Sequence, residues 1–220
     1  MNNEEILSCV DHTLLSPVSS WDEITQLCEE AIRYKTASVC VSPSYIKRIR
    51  ETFPGLCICT VIGFPLGYNV TEAKAKEAKT AIFDGASELD MVVNLGGVKN
   101  GDFGGITREI AALKEIAGKN ILKVIIETCY LTNDEKITLC KCVTDAGADY
   151  IKTSTGFGTG GATMEDVLLF REHIGRDVKI KAAGGIRTRE DMVNFIEAGC
   201  ARLGTSSAIK ILSGETTGGY

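Results

Sequence analysis

Apolar positions along the chain switch repeatedly between two periods. Short runs rich in β-branched residues alternate with longer segments whose apolar positions fall three and four apart. The runs Val10–Leu14, Ala37–Val41, Leu56–Gly63, Glu88–Val93, Leu122–Thr128, Asp149–Thr153, Val178–Ala182 and Ala201–Gly204 predict strands. Between and after them, Ser20–Tyr34, Ser44–Glu51, Thr71–Asp84, Phe103–Ala117, a segment opened by Thr132 and Glu135, Met164–Ile174, Arg189–Ala198 and Ser206–Leu212 predict helices. In Ser20–Tyr34, Ile24, Leu27, Cys28, Ala31 and Ile32 form one stripe, and Ser20 with Glu23 matches a capping box. Three junctions place a glycine where a helix ends, at Gly85, Gly147 and Gly199, and a strand starts within two or three residues. Such short returns set consecutive strands side by side and parallel. Eight strand–helix units in one chain of this size predict a single-domain α/β protein, a (β/α)8 TIM barrel over residues 1–212. A short N-terminal helix precedes the barrel, and residues 213–220 form a C-terminal tail that is flexible by composition. An open doubly wound sheet is the alternative, since the first and last strands are the weakest.

Composition narrows the class. The 220 residues are 44% hydrophobic and 24% charged, as in globular proteins that bury one sizeable core. A formal net charge of −5 argues against a general nucleic-acid partner. The polar start lacks a signal-peptide pattern, and no apolar run is long enough to span a membrane, so a cytoplasmic protein is expected. Nine scattered cysteines and two isolated histidines, His12 and His173, lack the spacing of a zinc site; the cysteines read as small, reduced core residues.

The strands carry charges where a barrel has its interior. Residues facing the helices must be apolar, so charges that alternate with them point inward. By this rule Lys152 faces in beside Ile151, Lys181 beside Ile180, and Asp90 between Leu89 and Met91. Lys123 and Glu127 face in opposite Val124 and Ile126, and Glu88 and Lys179 fall one layer deeper. Interior charge is costly unless paired. One lysine alone would suggest a structural ion pair; two at the ends of neighbouring strands, with an acid across the barrel, suggest chemistry. A lysine amine is nucleophilic only when neutral, and a second cation nearby favours that form. It can then add to a carbonyl as an imine, and a nearby acid can move the protons.

Three glycine-rich turns follow the last strands: Thr153-Ser154-Thr155-Gly156, Gly184-Gly185-Ile186-Arg187 and Gly204-Thr205-Ser206-Ser207. Each alone is an ordinary tight loop. Together they occupy the region where barrels bind phosphate, with Ser206 and Ser207 at the start of the last helix. Gly156, Gly158 and Gly161 also fit G-x-G-x-x-G, but late in the chain and with no acid ending the next strand, so a dinucleotide site is rejected.

At this point the chain resembles the deoxyribose-phosphate aldolase family over nearly its whole length. The resemblance rests on Val10-Asp11-His12-Thr13-Leu14-Leu15, Glu88–Val93, Leu122–Thr128, Asp149-Tyr150-Ile151-Lys152-Thr153-Ser154-Thr155-Gly156 and Ile180-Lys181-Ala182-Ala183-Gly184-Gly185-Ile186-Arg187. It implies that Lys152 forms the Schiff base, that Lys181 lowers its pKa, and that Asp90 is the acid–base group. It further implies that Asp11 and Thr13 help hold the sugar or the lysines. Lys123, Thr155, Gly156, Gly184, Gly185, Arg187, Gly204, Ser206 and Ser207 complete the expected substrate-binding set. The implied substrates are a phosphorylated sugar, 2-deoxy-D-ribose 5-phosphate, and aldehydes, with no metal or organic cofactor and no membrane partner. Some family members end in a tyrosine that assists proton transfer, which marks Tyr220. Phe157 departs from members with lysine there and removes one possible charge near the phosphate. Barrels of this kind often form homodimers, but no patch is marked in the sequence. Competing readings are an acid–base isomerase or synthase without an imine, a flavin or nucleotide barrel, a non-catalytic sugar-phosphate binder and a metal-dependent aldolase.

Overall fold

The computed structural model describes residues 1–214. In chain order its elements are α1 (Asn3–Leu7), β1 (Val10–Leu14), α2 (Trp21–Tyr34), β2 (Ser38–Val41), α3 (Ile46–Thr52), β3 (Ile58–Ile62), α4 (Thr71–Phe83), β4 (Glu88–Val92), α5 (Leu95–Lys99) and α6 (Phe103–Ala117). They continue as β5 (Ile121–Ile125), α7 (Asn133–Asp145), β6 (Tyr150–Lys152), α8 (Met164–His173), β7 (Lys179–Ala183), α9 (Arg189–Glu197), β8 (Cys200–Thr205) and α10 (Ala208–Ser213). The eight strands pair in sequence order, and β1 pairs with β8, so the sheet closes and the open-sheet alternative is excluded.

Local chemistry explains the helix starts. Ser20 with Glu23, Thr132 with Glu135 and Thr188 with Asp191 form reciprocal capping boxes on α2, α7 and α9. Each satisfies backbone N–H groups that the first turn leaves free. Gly85, Gly147 and Gly199 take positive φ at the helix ends, as the sequence predicted.

Most boundaries shift by a residue or two, and four departures stand out. The segment Ser44–Glu51 divides into a 3-10 turn, Pro43–Tyr45, and α3, which starts at Ile46. Leu95–Lys99 forms a helix that its two glycines disguise; the Asn94 side chain caps it by accepting from the Gly97 N–H. The β5 strand ends at Ile125 rather than Thr128, and Glu127 beyond it turns to φ +52°. The last helix begins at Ala208, so Ser206 and Ser207 precede it, and it reaches Ser213, one residue past the expected boundary.

Two apolar regions divide the barrel. The main core lies between sheet and helices, where Val39, Leu89, Met91, Val124, Ile151 and Leu203 meet Ile24, Ile110, Leu113, Val143 and Phe170. A small second cluster of Cys40, Cys59 and Val61, flanked by Leu15 and Phe64, lies apart from it. Cys40 and Cys59 are register partners on β2 and β3. All nine cysteines are free thiols. Burial pushes Cys28, Cys140 and Cys200 up to about 12, which keeps them unreactive thiols at neutral pH. Among the described residues no helix is long and apolar enough to cross a membrane.

Candidate active site

Seven charged side chains from six strands join in one network inside the barrel. Asp90 on β4 lies at its centre. Its Oδ2 accepts from Lys152 Nζ at 2.7 Å and from Lys181 Nζ at 2.7 Å, and its Oδ1 from Lys123 Nζ at 2.8 Å. Lys123 also reaches Glu88 Oε2 at 2.6 Å and lies 3.6 Å from Asp11 Oδ2. Lys181 donates to Asp11 as well, and the Arg202 guanidinium bonds both Asp11 and Glu88. Strand register explains the convergence: Lys152 and Lys181 are partners on β6 and β7, and Asp90 and Lys123 on β4 and β5.

The electrostatics follow from burial and pairing together. Burial alone would raise the Asp11 carboxyl, but Lys181, Lys123 and Arg202 hold it below the usual carboxylate range. Asp90 is likewise opposed by burial and held well below its ordinary value by Lys123, Lys152 and Lys181. Burial would discharge Lys181 and Lys123, yet Asp11 and Asp90 on the first, and Asp90, Cys59, Asp11 and Glu88 on the second, push both above the ordinary lysine value. Lys152 differs from them in geometry: its one carboxylate partner among the described residues is Asp90, on an oxygen that it shares with Lys181.

The expected inward set is therefore assembled, with adjustments. Lys123 pairs in register with Tyr150, one inward position below Lys152, and is fully buried under Asp90. Its amine is taken up by Asp90, Glu88 and the Cys59 sulfur. Lys179 stays outside the network, exposed at the other end of the barrel, with Nζ 5.8 Å from the Tyr150 ring centre. Glu127 leaves the network because of its backbone turn; its carboxylate accepts from the Thr155 N–H at 3.1 Å and from the Thr155 hydroxyl, so both groups hold the loop after β6. Thr13 bonds its own strand, Oγ1 to the Asp11 carbonyl at 2.7 Å.

The glycine-rich turns meet at the β6 and β7 ends. A Cβ on Gly161 would lie 2.4 Å from the Gly184 carbonyl, and one on Gly184 would lie 3.5 Å from the Gly156 Cα. Gly184 and Gly185 both take positive φ, which their lack of a Cβ permits. The buried Ser154 hydroxyl beside them has no partner among the described residues. Gly204 belongs to β8 instead, and its missing Cβ makes room for Lys181, whose Cε would be 3.1 Å away. Ser207 donates its N–H to Thr205 Oγ1, Ser206 is exposed, and Arg187 is exposed with its N–H on Asp191. Tyr220 lies outside the described residues.

Among the described residues two sets of three potential ligands have their donor atoms within 4.8 Å of one another, Cys40 with Cys59 and Asp90 in one set and Asp11 with Cys59 and Glu88 in the other. Their carboxylates already receive lysine and arginine cations, so these donors suit ammonium groups better than a metal. Sequence reasoning missed Arg202 and Cys59. The alternation in Ala201-Arg202-Leu203 points Arg202 inward by the same rule that found Lys181.

Paired lysines around one carboxylate at the C-terminal ends of barrel strands define a carbonyl-condensing or carbonyl-cleaving enzyme. The DeoC/LacD family aldolase model matches residues 6–214, and the chain belongs to that family. It is 62% identical to the deoxyribose-phosphate aldolase of Clostridium botulinum (strain Alaska E43 / Type E3), over the full length of both chains. A crystal structure of a putative deoxyribose-phosphate aldolase from Coccidioides immitis superposes with a TM-score of 0.93 at 41% identity, covering 97% of this chain and 87% of that one. The tetrameric deoxyribose phosphate aldolase of Aeropyrum pernix gives 0.89 at 34% identity, covering 96% and 91%.

Proposed function

We propose that this aldolase cleaves 2-deoxy-D-ribose 5-phosphate reversibly to D-glyceraldehyde 3-phosphate and acetaldehyde through an imine on Lys152. The observation that carries the reading is the charge count of the buried network. Four cations, Lys123, Lys152, Lys181 and Arg202, face three carboxylates, Asp11, Glu88 and Asp90. A buried network favours neutrality, so one proton should leave. Lys152 is the lysine that loses least, because Lys181 holds two carboxylates and Lys123 three.

The neutral Lys152 amine adds to the open-chain aldehyde, and loss of water gives the protonated imine. Asp90, within hydrogen-bond reach of both lysines, moves the proton at the carbinolamine and, directly or through a water, takes the proton from the substrate 3-hydroxyl. The C2–C3 electrons then flow into the imine, glyceraldehyde 3-phosphate leaves, and the enamine takes a proton and hydrolyses to acetaldehyde. The amides of Gly156, Gly184 and Gly185 and the Ser154 hydroxyl supply donors for the phosphate. Tyr220 belongs to this proposal as a proton-transfer group. The homology to a tetrameric enzyme supports an assembly of identical chains.

Borohydride reduction tests the reading. Incubation with acetaldehyde or 2-deoxyribose 5-phosphate should leave a reduced adduct that peptide mass mapping places on Lys152, and Lys152→Ala should abolish it. A folded protein that gives no adduct would move the chemistry to an acid–base mechanism.

A further inference from the structure

We propose that Arg202 is a positioning residue for imine chemistry: its fixed cation beneath the cluster leaves the buried network one positive charge in excess and so makes Lys152 the group that gives up a proton. This inference rests on the Lys152 imine proposed above, and it assigns to an arginine that never meets substrate the part of setting the nucleophile.

The geometry separates Arg202 from the reacting amine. Its guanidinium bonds Glu88 with Nη1 at 3.0 Å and Nη2 at 3.1 Å, bonds Asp11 through Nη1, and lies 5.8 Å from the Tyr150 ring centre. Glu88 and Tyr150 are each one inward position below Asp90 and Lys152 on their strands. An arginine holds its proton at any working pH. Burial opposes its charge, but Asp11 and Glu88 raise its pKa further still.

Without Arg202, three lysines would face three carboxylates and the cluster would be neutral with every lysine protonated. Lys152 would then stay an ammonium on Asp90. With Arg202 present, the same three carboxylates cannot neutralise four cations, and the proton leaves the lysine with the fewest carboxylate contacts. Among the described residues the groups around Lys152 are few. Asp90 is on β4, Lys123 on β5, Lys181 on β7, and Cys40 and Cys59 on β2 and β3; Asp11, Glu88 and Arg202 lie beyond them. Glu127 is tied to Thr155. The Cys59 thiol, which burial and Asp90 raise well above its ordinary value, stays neutral.

The test reads the apparent pKa of imine formation from the rate of borohydride trapping with acetaldehyde against pH. Wild-type trapping at Lys152 is the control for the imine itself; its failure would remove the function reading, not this inference alone. With the control in hand, Arg202→Met should raise the apparent pKa by about one unit or more, a roughly tenfold loss of trapping at pH 7. Arg202→Lys keeps the charge and should restore most of the wild-type profile. The double variant Glu88→Gln with Arg202→Met removes one charge of each sign and should return the profile toward wild type, which a purely packing role for Arg202 would not do. If Arg202→Met does not fold, Glu88→Gln alone carries the test, since it raises the excess and should lower the apparent pKa. Profiles that stay at the wild-type value in Arg202→Met, or in Glu88→Gln where that variant stands in, would overturn the inference, as would a double variant no better than Arg202→Met.

Discussion

At the scale of single residues, Asp90 concentrates the demands on the site. It receives three lysine side chains and the Cys59 thiol while fully buried. Asp90→Asn keeps the shape and removes the charge that compensates these cations. It should lower stability by about 3–5 kcal/mol, the usual result of breaking a buried pair. It should lower the cleavage rate by about 10²–10⁴, the usual contribution of a positioned acid–base group. Denaturant titration beside progress curves would separate the two effects; cleavage within a few-fold of wild type would remove Asp90 from the proton transfer. Alternation made Asp90, Lys152 and Lys181 legible because each sits between apolar neighbours that must face helices. It failed for Glu127 because inward–outward alternation applies only while the backbone stays extended, and there it turns to φ +52°.

At the scale of elements, the loops after β6 and β7 hold each other at backbone contact. Ala162 donates its N–H to the carbonyls of Ala183 and Gly184, at 3.1 and 3.0 Å, and Gly161 lies against Gly184 with no space for a side chain. Gly161→Ala should therefore push the two turns apart while leaving the strands paired. The expected result is a KM for the phosphorylated sugar raised about tenfold or more, with trapping by unphosphorylated acetaldehyde near wild type. An equal loss with both carbonyl compounds would place the turns in the imine chemistry rather than in phosphate binding. The strands and most helices could be read from the sequence because their caps and periodicity agree with the tertiary fold. The α5 helix could not, because Leu95-Gly96-Gly97-Val98-Lys99 has poor intrinsic propensity and rests on the Asn94 cap and on burial of Val98. The role of Gly204 was also hidden, since a glycine in a turn motif and a glycine that vacates space for a lysine look alike in sequence.

At the scale of the whole molecule, titration of buried groups sets the range of pH over which the fold persists. Asp11 and Asp90 have folded values below their unfolded ones. Their contribution is full above about pH 4 and is lost as pH falls toward the folded values. Lys123 and Lys181 have raised values, so their contribution is full below about pH 10 and is lost only as pH rises beyond it. His12 is buried between β1 and α2, and burial lowers it despite its bond to Glu30 at 2.8 Å. The unfolded chain therefore binds the extra proton below about pH 6.5, and stability should fall there first. Below about pH 6.5 thermal melts should show a shallow decline that His12→Gln flattens, followed by a steep loss in strong acid. A melting temperature that rises from pH 7 to 5.5 would contradict the sign assigned to His12.

The pairing of β1 with β8, Asp11 beside Gly204, has a further consequence for how the chain comes to be active. The ring joins its first strand to its last, so closure waits until almost the whole polypeptide has left the ribosome. Until then Asp11 lacks both Lys181 and Arg202, and the outer side of β1 is an unpaired edge. The ion pairs of Asp11 with Lys181 and Arg202 are thus also the latch of the ring. A shortened chain that stops before β8 would keep Lys152 and Asp90 yet have neither the seam nor the charge balance, so reactivity and completion of synthesis arrive together.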